Sequence, residues 1–312
     1  MNFSKQLFSV LLAALILVSA PYVALSQGRG GGAPAAAATP PGPPAPVPAA
    51  VAIPRPTAAE VDAARGALTK FVASDATTRA LVQKYPNLIE VRQPAPNTAI
   101  MPSLAGGFVA KHQANLEVAK QGEANILFMG DSITDFWRNP EGSGNYAGKP
   151  VLDKYFSQWK VANFGIAGDT TQGVLYRLQD GEGQGFKPKA VMLMIGTNNT
   201  GRNSAAEIAE GVGAIVLALQ NNFPDAKILL LGIFPRGRAT DPVRTTIAEI
   251  NRTISKLHDG TRVQYLDIGA GFLDADGNIP QDVMSDGLHP TGKGYEIWAK
   301  AVIAPLTALM GK

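Results

Sequence analysis

Cysteine is absent from the 312 residues and histidine occurs only three times. The first absence excludes disulfides, thiolate zinc sites, a cysteine nucleophile and lipidated cysteines. The second leaves His112, His258 and His289 as the whole supply of imidazole. An excess of one charge is also lacking. Lys+Arg 28 against Asp+Glu 25 gives +3, and no run of five or more basic residues occurs, so no nucleic-acid partner is expected. Metal motifs are missing as well: there is no His-Glu-x-x-His, and Asp274-Ala275-Asp276-Gly277-Asn278 places its glycine too early for an EF-hand loop. Two glycine-rich stretches imitate nucleotide sites without meeting their requirements. Gly28-Arg29-Gly30-Gly31-Gly32-Ala33 has no strand before it, and Gly142 to Pro150 carries Pro150 where a magnesium-binding hydroxyl belongs. The expectation is chemistry by side chains alone, with no cofactor and no metal.

The N-terminal end reads as an address followed by a spacer. Lys5 precedes an apolar run from Leu7 to Val18, and Ala24-Leu25-Ser26 offers small residues for a signal peptidase. Residues 1–26 are therefore read as a signal peptide of an exported, periplasmic or secreted chain. Retention of the stretch as a membrane anchor is the alternative. Nine prolines fall between Pro34 and Pro56, in a segment whose charges are Arg29 and Arg55. Such a composition buries little to offset its ordering entropy, which predicts a disordered linker over 27–57. Residues 58–124 read as a helical extension, with Val61, Ala64, Leu68, Phe71 and Val72 at helical spacing for docking on the domain. His112, in a predicted helix around Phe108 to Ala119, reads as a surface or packing residue.

From Asn125 the pattern becomes regular. Ile126–Met129, Val161–Phe164, Ala190–Ile195, Ile228–Leu231 and Val263–Leu266 are short, mainly apolar runs, as expected for parallel strands covered on both faces. Helical patterns separate them, at 152–159, 172–178, 205–221 and 243–258, and a last one follows at 294–309. The alternation predicts an α/β fold, a three-layer α/β/α sandwich around an open, roughly five-stranded parallel sheet, with residues 125–312 as one catalytic domain. Ligands bind such sheets beyond the carboxyl ends of the strands.

The residues at those ends are unusual for loops. Gly130-Asp131-Ser132 follows the first run, and a serine on a tight turn can present its hydroxyl above the sheet, although Asp and Ser also simply cap helices. Gly165 through Gly168-Asp169-Thr170 follows the second, where glycines let backbone N–H groups approach an anion. Gly196-Thr197-Asn198-Asn199 follows the third and offers a side-chain amide to an oxyanion. Asp286-Gly287-Leu288-His289 precedes the last helix, with a carboxylate able to orient an imidazole in the same turn. Thr134 stands where a Gly-x-Ser-x-Gly elbow needs its last glycine, which argues against the α/β-hydrolase fold. Together these residues meet the requirements of acyl transfer: a nucleophile, a base, its orienter and oxyanion donors.

These strings, with Asn163-Phe164-Gly165-Ile166 and Pro235-Arg236-Gly237, resemble the SGNH hydrolases of the GDSL esterase and lipase superfamily. The likeness is strongest to the branch of the platelet-activating-factor acetylhydrolase catalytic subunits and their bacterial relatives. The resemblance implies Ser132 as nucleophile, Asp286 and His289 as acid and base, and an oxyanion hole of Ser132, Gly168 and Asn198. Ala167 departs from the glycine of the mammalian subunits. Asp131 is expected to hold its turn by local hydrogen bonding. Phe136, Trp137 and Phe164 are expected either to line a pocket or to pack in the core. The implied substrate is a small-molecule or carbohydrate ester, with acetylated carbohydrate favoured by the export pattern and, as the alternative, a short-acyl phospholipid or a lysophospholipid. A noncatalytic carbohydrate-binding module is the rival of another class.

Overall fold

The computed structural model describes residues 37–85 and 90–311. The expected signal peptide and the start of the expected linker lie outside the described residues. The elements are α1 (Ala58–Ser74), α2 (Ala76–Lys84), α3 (Val109–Lys120), β1 (Ile126–Gly130), α4 (Ser132–Asp135), α5 (Lys149–Phe156), β2 (Val161–Asn163) and α6 (Thr171–Arg177). They continue with β3 (Ala190–Met194), α7 (Ala205–Asn222), β4 (Lys227–Leu231), α8 (Pro242–Ile254), β5 (Val263–Leu266) and α9 (Gly292–Leu309).

All five strands are parallel, in the order β2-β1-β3-β4-β5. Because side chains alternate across a strand, each apolar run divides between two cores. Ile126, Phe128, Met192, Leu229 and Leu231 pack with α5 and α9 through Phe156, Tyr295, Trp298 and Val302. Leu127, Met129, Val191, Leu193 and Leu230 pack on the other face with α6, α7 and α8 through Val174, Ile208, Ile215 and Ile250. This is the expected three-layer sandwich. From β1 the chain passes to β2 on one side and then to β3 on the other, so the order of strands reverses between β1 and β3. Their carboxyl ends flank the crevice where such a sheet binds ligands. Gly130 is required there by close approach, since a Cβ would stand 2.3 Å from Thr134 Oγ1 and 2.4 Å from the Met194 carbonyl.

Three expectations outside the sheet need correction. Within the stretch read as a disordered linker, residues 39–55 are seated on the domain as a strap. Backbone N–H groups of Thr39, Gly42 and Ala45 donate to the carbonyls of Leu104, Pro102 and Ile100, and Ala45 and Val51 are buried. Arg55 donates from both terminal nitrogens to Glu210 of α7, at 2.7 and 2.5 Å, and the Ile53 N–H joins at 2.8 Å. The strap takes its order from partners at least 55 residues away, which its own composition does not reveal. Second, α1 and α2 form, α1 with a capping box at Thr57 and Glu60, but Val61 is their one buried residue and Phe71, Leu81 and Tyr85 stand exposed. Their apolar spacing therefore is not a docking face for the domain. Third, His112 is neither surface nor apolar packing. It is buried among charges described below. No helix among the described residues is long and apolar enough to cross a membrane.

Candidate active site

Ser132 is the first residue of α4, directly after β1. Asp131 caps that helix, its Oδ1 accepting the Ile133 N–H at 3.0 Å, so the serine is held at the sheet edge by local bonding. Ser132 Oγ lies 2.9 Å from His289 Nε2, and His289 Nδ1 lies 2.6 Å from Asp286 Oδ2. Residues 157 apart in sequence thus form one hydrogen-bonded line. The other Asp286 oxygen accepts the backbone N–H groups of Leu288 and His289 at 3.0 and 2.8 Å. Partial burial opposes charge on Asp286, but these bonds, the one from the His289 ring foremost, outweigh it and hold the carboxyl at about 2. Being depressed, that value contributes stability above the unfolded carboxylate range, and the contribution is lost as pH falls toward 2.

Gly168 and Asn198 follow the carboxyl ends of β2 and β3, the strands on either side of β1. Gly168 has φ +86°, a conformation side chains rarely adopt, and is exposed at the tip of the loop after β2. Asn198 Nδ2 donates to the Asp169 carbonyl at 2.8 Å, which ties the loop after β3 to the one after β2. With two amide hydrogens, Asn198 keeps a second donor for a substrate oxygen. Asn199 is fully buried. Its Oδ1 accepts the Thr171 N–H at 3.1 Å, and its Nδ2 donates to Gln172 Oε1 at 2.9 Å and Asn203 Oδ1 at 3.2 Å. The two neighbours therefore separate cleanly. Asn198→Ala is expected to lower kcat on an acetate ester by about 10² to 10³ with little change in KM. Asn199→Ala is expected to spare kcat and lower the melting temperature. The reverse pattern in kinetics and thermal unfolding would place the oxyanion donor one residue later.

Asp131 is completely buried, and its Oδ2 has no partner among the described residues. Burial, reinforced by the nearby Asp169 charge, pushes its carboxyl up to about 7. The unfolded chain releases this proton near about 3.9 while the folded chain keeps it, so Asp131 makes stability fall as pH rises from about 4 to about 7. Asn at this position can still accept the Ile133 N–H and carries no charge. Asp131→Asn is thus expected to gain melting temperature relative to the parent between pH 5 and pH 8; an equal difference at both would show that Asp131 is not the titrating group.

Other residues at the site give no signal of their role in the sequence. Asp135, one turn after Ser132, accepts from the Ala167 N–H at 3.0 Å and from Lys111 at 2.6 Å, binding α4 to the loop after β2. Behind that loop lies a buried ion network. Arg177 donates to Asp169 (2.8 Å) and Glu182, all three fully buried, and Glu182 also faces His112 Nδ1 at 2.8 Å. Burial disfavours the Arg177 charge, but Asp169 and Glu182 outweigh it and raise its pKa above the ordinary value. His112 Nε2 faces Asp180 at 2.9 Å, so both ring nitrogens meet carboxylates. Burial opposes the imidazolium, yet Glu182 and Asp180 win and raise its pKa. Of the aromatic candidates, Trp137 and Phe164 are core, whereas Phe136 lies 5.1 Å from the His289 ring, centroid to centroid.

The arrangement can support acyl transfer, and comparison with known proteins identifies a family of that chemistry. Residues 128–297 match the model of the GDSL-like lipase/acylhydrolase family. The chain belongs to that family. It is 38% identical to the rat platelet-activating factor acetylhydrolase IB subunit alpha2 over 189 residues, covering 60% of this chain and 78% of that one. With the human alpha1 subunit the identity is 32% over 208 residues, covering 66% and 86%. A GDSL-like lipase from Bacteroides thetaiotaomicron superposes with a TM-score of 0.50 at 18% identity, over 64% of this chain and 97% of the other, which shows the shared fold. As a GDSL-like acylhydrolase, the chain is a carboxylic ester hydrolase.

Proposed function

We propose that this family member removes short acyl groups, acetyl first, with Ser132 as nucleophile, His289 as general base and Asp286 as its orienter. The observation that carries the reading is the line Ser132 Oγ, His289, Asp286, at 2.9 and 2.6 Å. In the proposed reaction His289 Nε2 takes the Ser132 proton as Oγ attacks the ester carbonyl. The negative oxygen is held by the N–H groups of Ser132 and Gly168 and by the Asn198 amide. The imidazolium, stabilised by ionised Asp286, then gives its proton to the leaving alcohol. Water repeats the sequence on the acyl-enzyme and releases the acid.

The acetyl preference is supported by the two relatives named as acetylhydrolases. For the alcohol side, the export pattern of residues 1–26 supports an acetylated carbohydrate met outside the cell, and likeness to platelet-activating factor acetylhydrolase subunits supports a short-acyl phospholipid. A panel of acetate to decanoate esters, with acetylated xylan and a short-chain phospholipid, tests both halves. We expect kcat/KM to fall steadily with acyl length and acetylated xylan to release acetate. Preference for decanoate overturns the acyl assignment, and release from the phospholipid alone overturns the carbohydrate one.

A further inference from the structure

The orienting carboxylate has a partner that the scheme above leaves unused. Oδ2 of Asp286, the oxygen facing His289 Nδ1, also accepts a hydrogen bond of 3.0 Å from the phenol of Tyr146. Tyr146 belongs to the glycine-rich loop between α4 and α5, 140 residues away in sequence. Its ring stacks on Phe136, with centroids 5.5 Å apart and planes at 27°. It also meets the His289 ring edge-on, at 5.2 Å and 63°. The imidazole is therefore flanked by two aromatic rings, one of which is bonded to the carboxylate that orients it.

Taking Ser132, His289 and Asp286 in the roles proposed above, we infer that Tyr146 is a positioning residue that fixes Asp286 Oδ2 and tunes its pull on the His289 proton.

Three features support a role beyond tethering the loop. The Asp286 side chain is 37% exposed, so without the phenol Oδ2 would bond to exchanging water, which has no fixed direction. The phenol also donates to the oxygen that His289 uses. A carboxylate oxygen sharing its charge between two donors attracts each of them less, so the phenol moderates the pull of Asp286 on the His289 N–H. Finally, partial burial and the Asp286 charge raise the pKa of Tyr146, which keeps the phenol proton in place through the neutral range. The flanking rings restrict rotation of the imidazole about its side-chain bonds, so that Nε2 stays directed at Ser132.

Two substitutions separate these effects. Tyr146→Phe keeps the ring and removes the donor. It is expected to lower kcat on an acetate ester by about three- to tenfold, with KM within about twofold of the parent. Because Asp286 then attracts the imidazolium more strongly, the acid limb of the kcat/KM profile should move upward by about half a pH unit to one unit. Tyr146→Leu removes the ring as well and should lose more kcat than Tyr146→Phe. Following the His289 ring resonances through a pH titration by NMR requires no substrate. In Tyr146→Phe their midpoint should rise by the same amount as the acid limb. An unchanged midpoint and unchanged kcat in Tyr146→Phe overturn the inference and reduce the phenol to a loop tether. If the parent turns over no ester but the midpoint still moves, the proposed function fails and the coupling of Tyr146 to Asp286 stands.

Discussion

Ser132→Ala is expected to leave the fold intact and to lower kcat on an acetate ester by about 10⁴ to 10⁶. The lost Oγ bonds one partner, His289, whose orientation is set independently by Asp286 and by the two aromatic rings. The melting temperature should therefore hardly change. The activity falls because no other group at the site can form the acyl-enzyme, and what survives reflects oxyanion stabilisation of attack by water. A phosphonylating serine reagent should label the parent at Ser132 and leave the variant unlabelled. Retained turnover in Ser132→Ala, with labelling elsewhere, would remove Ser132, and with it the whole assignment of roles.

The largest effect on stability is expected at Arg177. Arg177→Met keeps much of the volume but leaves Asp169 and Glu182 buried without their cation. Removing one partner of a buried ion pair costs about 3 to 5 kcal/mol, or about 10 °C in melting temperature for a domain of this size. Relief should come from the same charges. Adding Asp169→Asn to Arg177→Met removes one stranded carboxylate and should restore part of the loss. His112, whose pKa Glu182 and Asp180 raise against the effect of burial, gives the network a second dependence. Its raised pKa means that it contributes stability below the ordinary histidine range and loses it as pH rises through the folded value. The Arg177→Met deficit should accordingly widen on the alkaline side, as a pH series of thermal unfolding curves would show. A deficit under about 1 kcal/mol at every pH would mean that solvent reaches the carboxylates.

The sheet was legible because its signals are local. Ile126–Met129 and Ala190–Ile195 are apolar at every position, which identifies strands covered on both faces whatever they pair with. The strand-end motifs were legible because Asp286 and His289 share a turn and Gly130, Asp131 and Ser132 are consecutive. What stayed hidden depends on partners far along the chain. Arg55 reads as an isolated charge in a proline-rich stretch until Glu210 is placed beside it, and Tyr146 is only part of a glycine-rich stretch that imitates a nucleotide site until Asp286 is. His112 was misread for the same reason, since its carboxylate partners lie 68 and 70 residues later. Spacing and composition register none of these pairings.

The distribution of the site along the chain has a consequence for its biosynthesis. Ser132, Gly168 and Asn198 leave the ribosome well before Asp286 and His289, which directly precede α9. That helix also fastens the nucleophile turn, as the Tyr295 phenol donates to the Ile133 carbonyl at 2.8 Å. A nascent chain can therefore pair β1, β2 and β3 and present Ser132 before the base proposed for it has been made. With the roles proposed above, a chain that stops short of Asp286 is expected to be inert rather than misdirected.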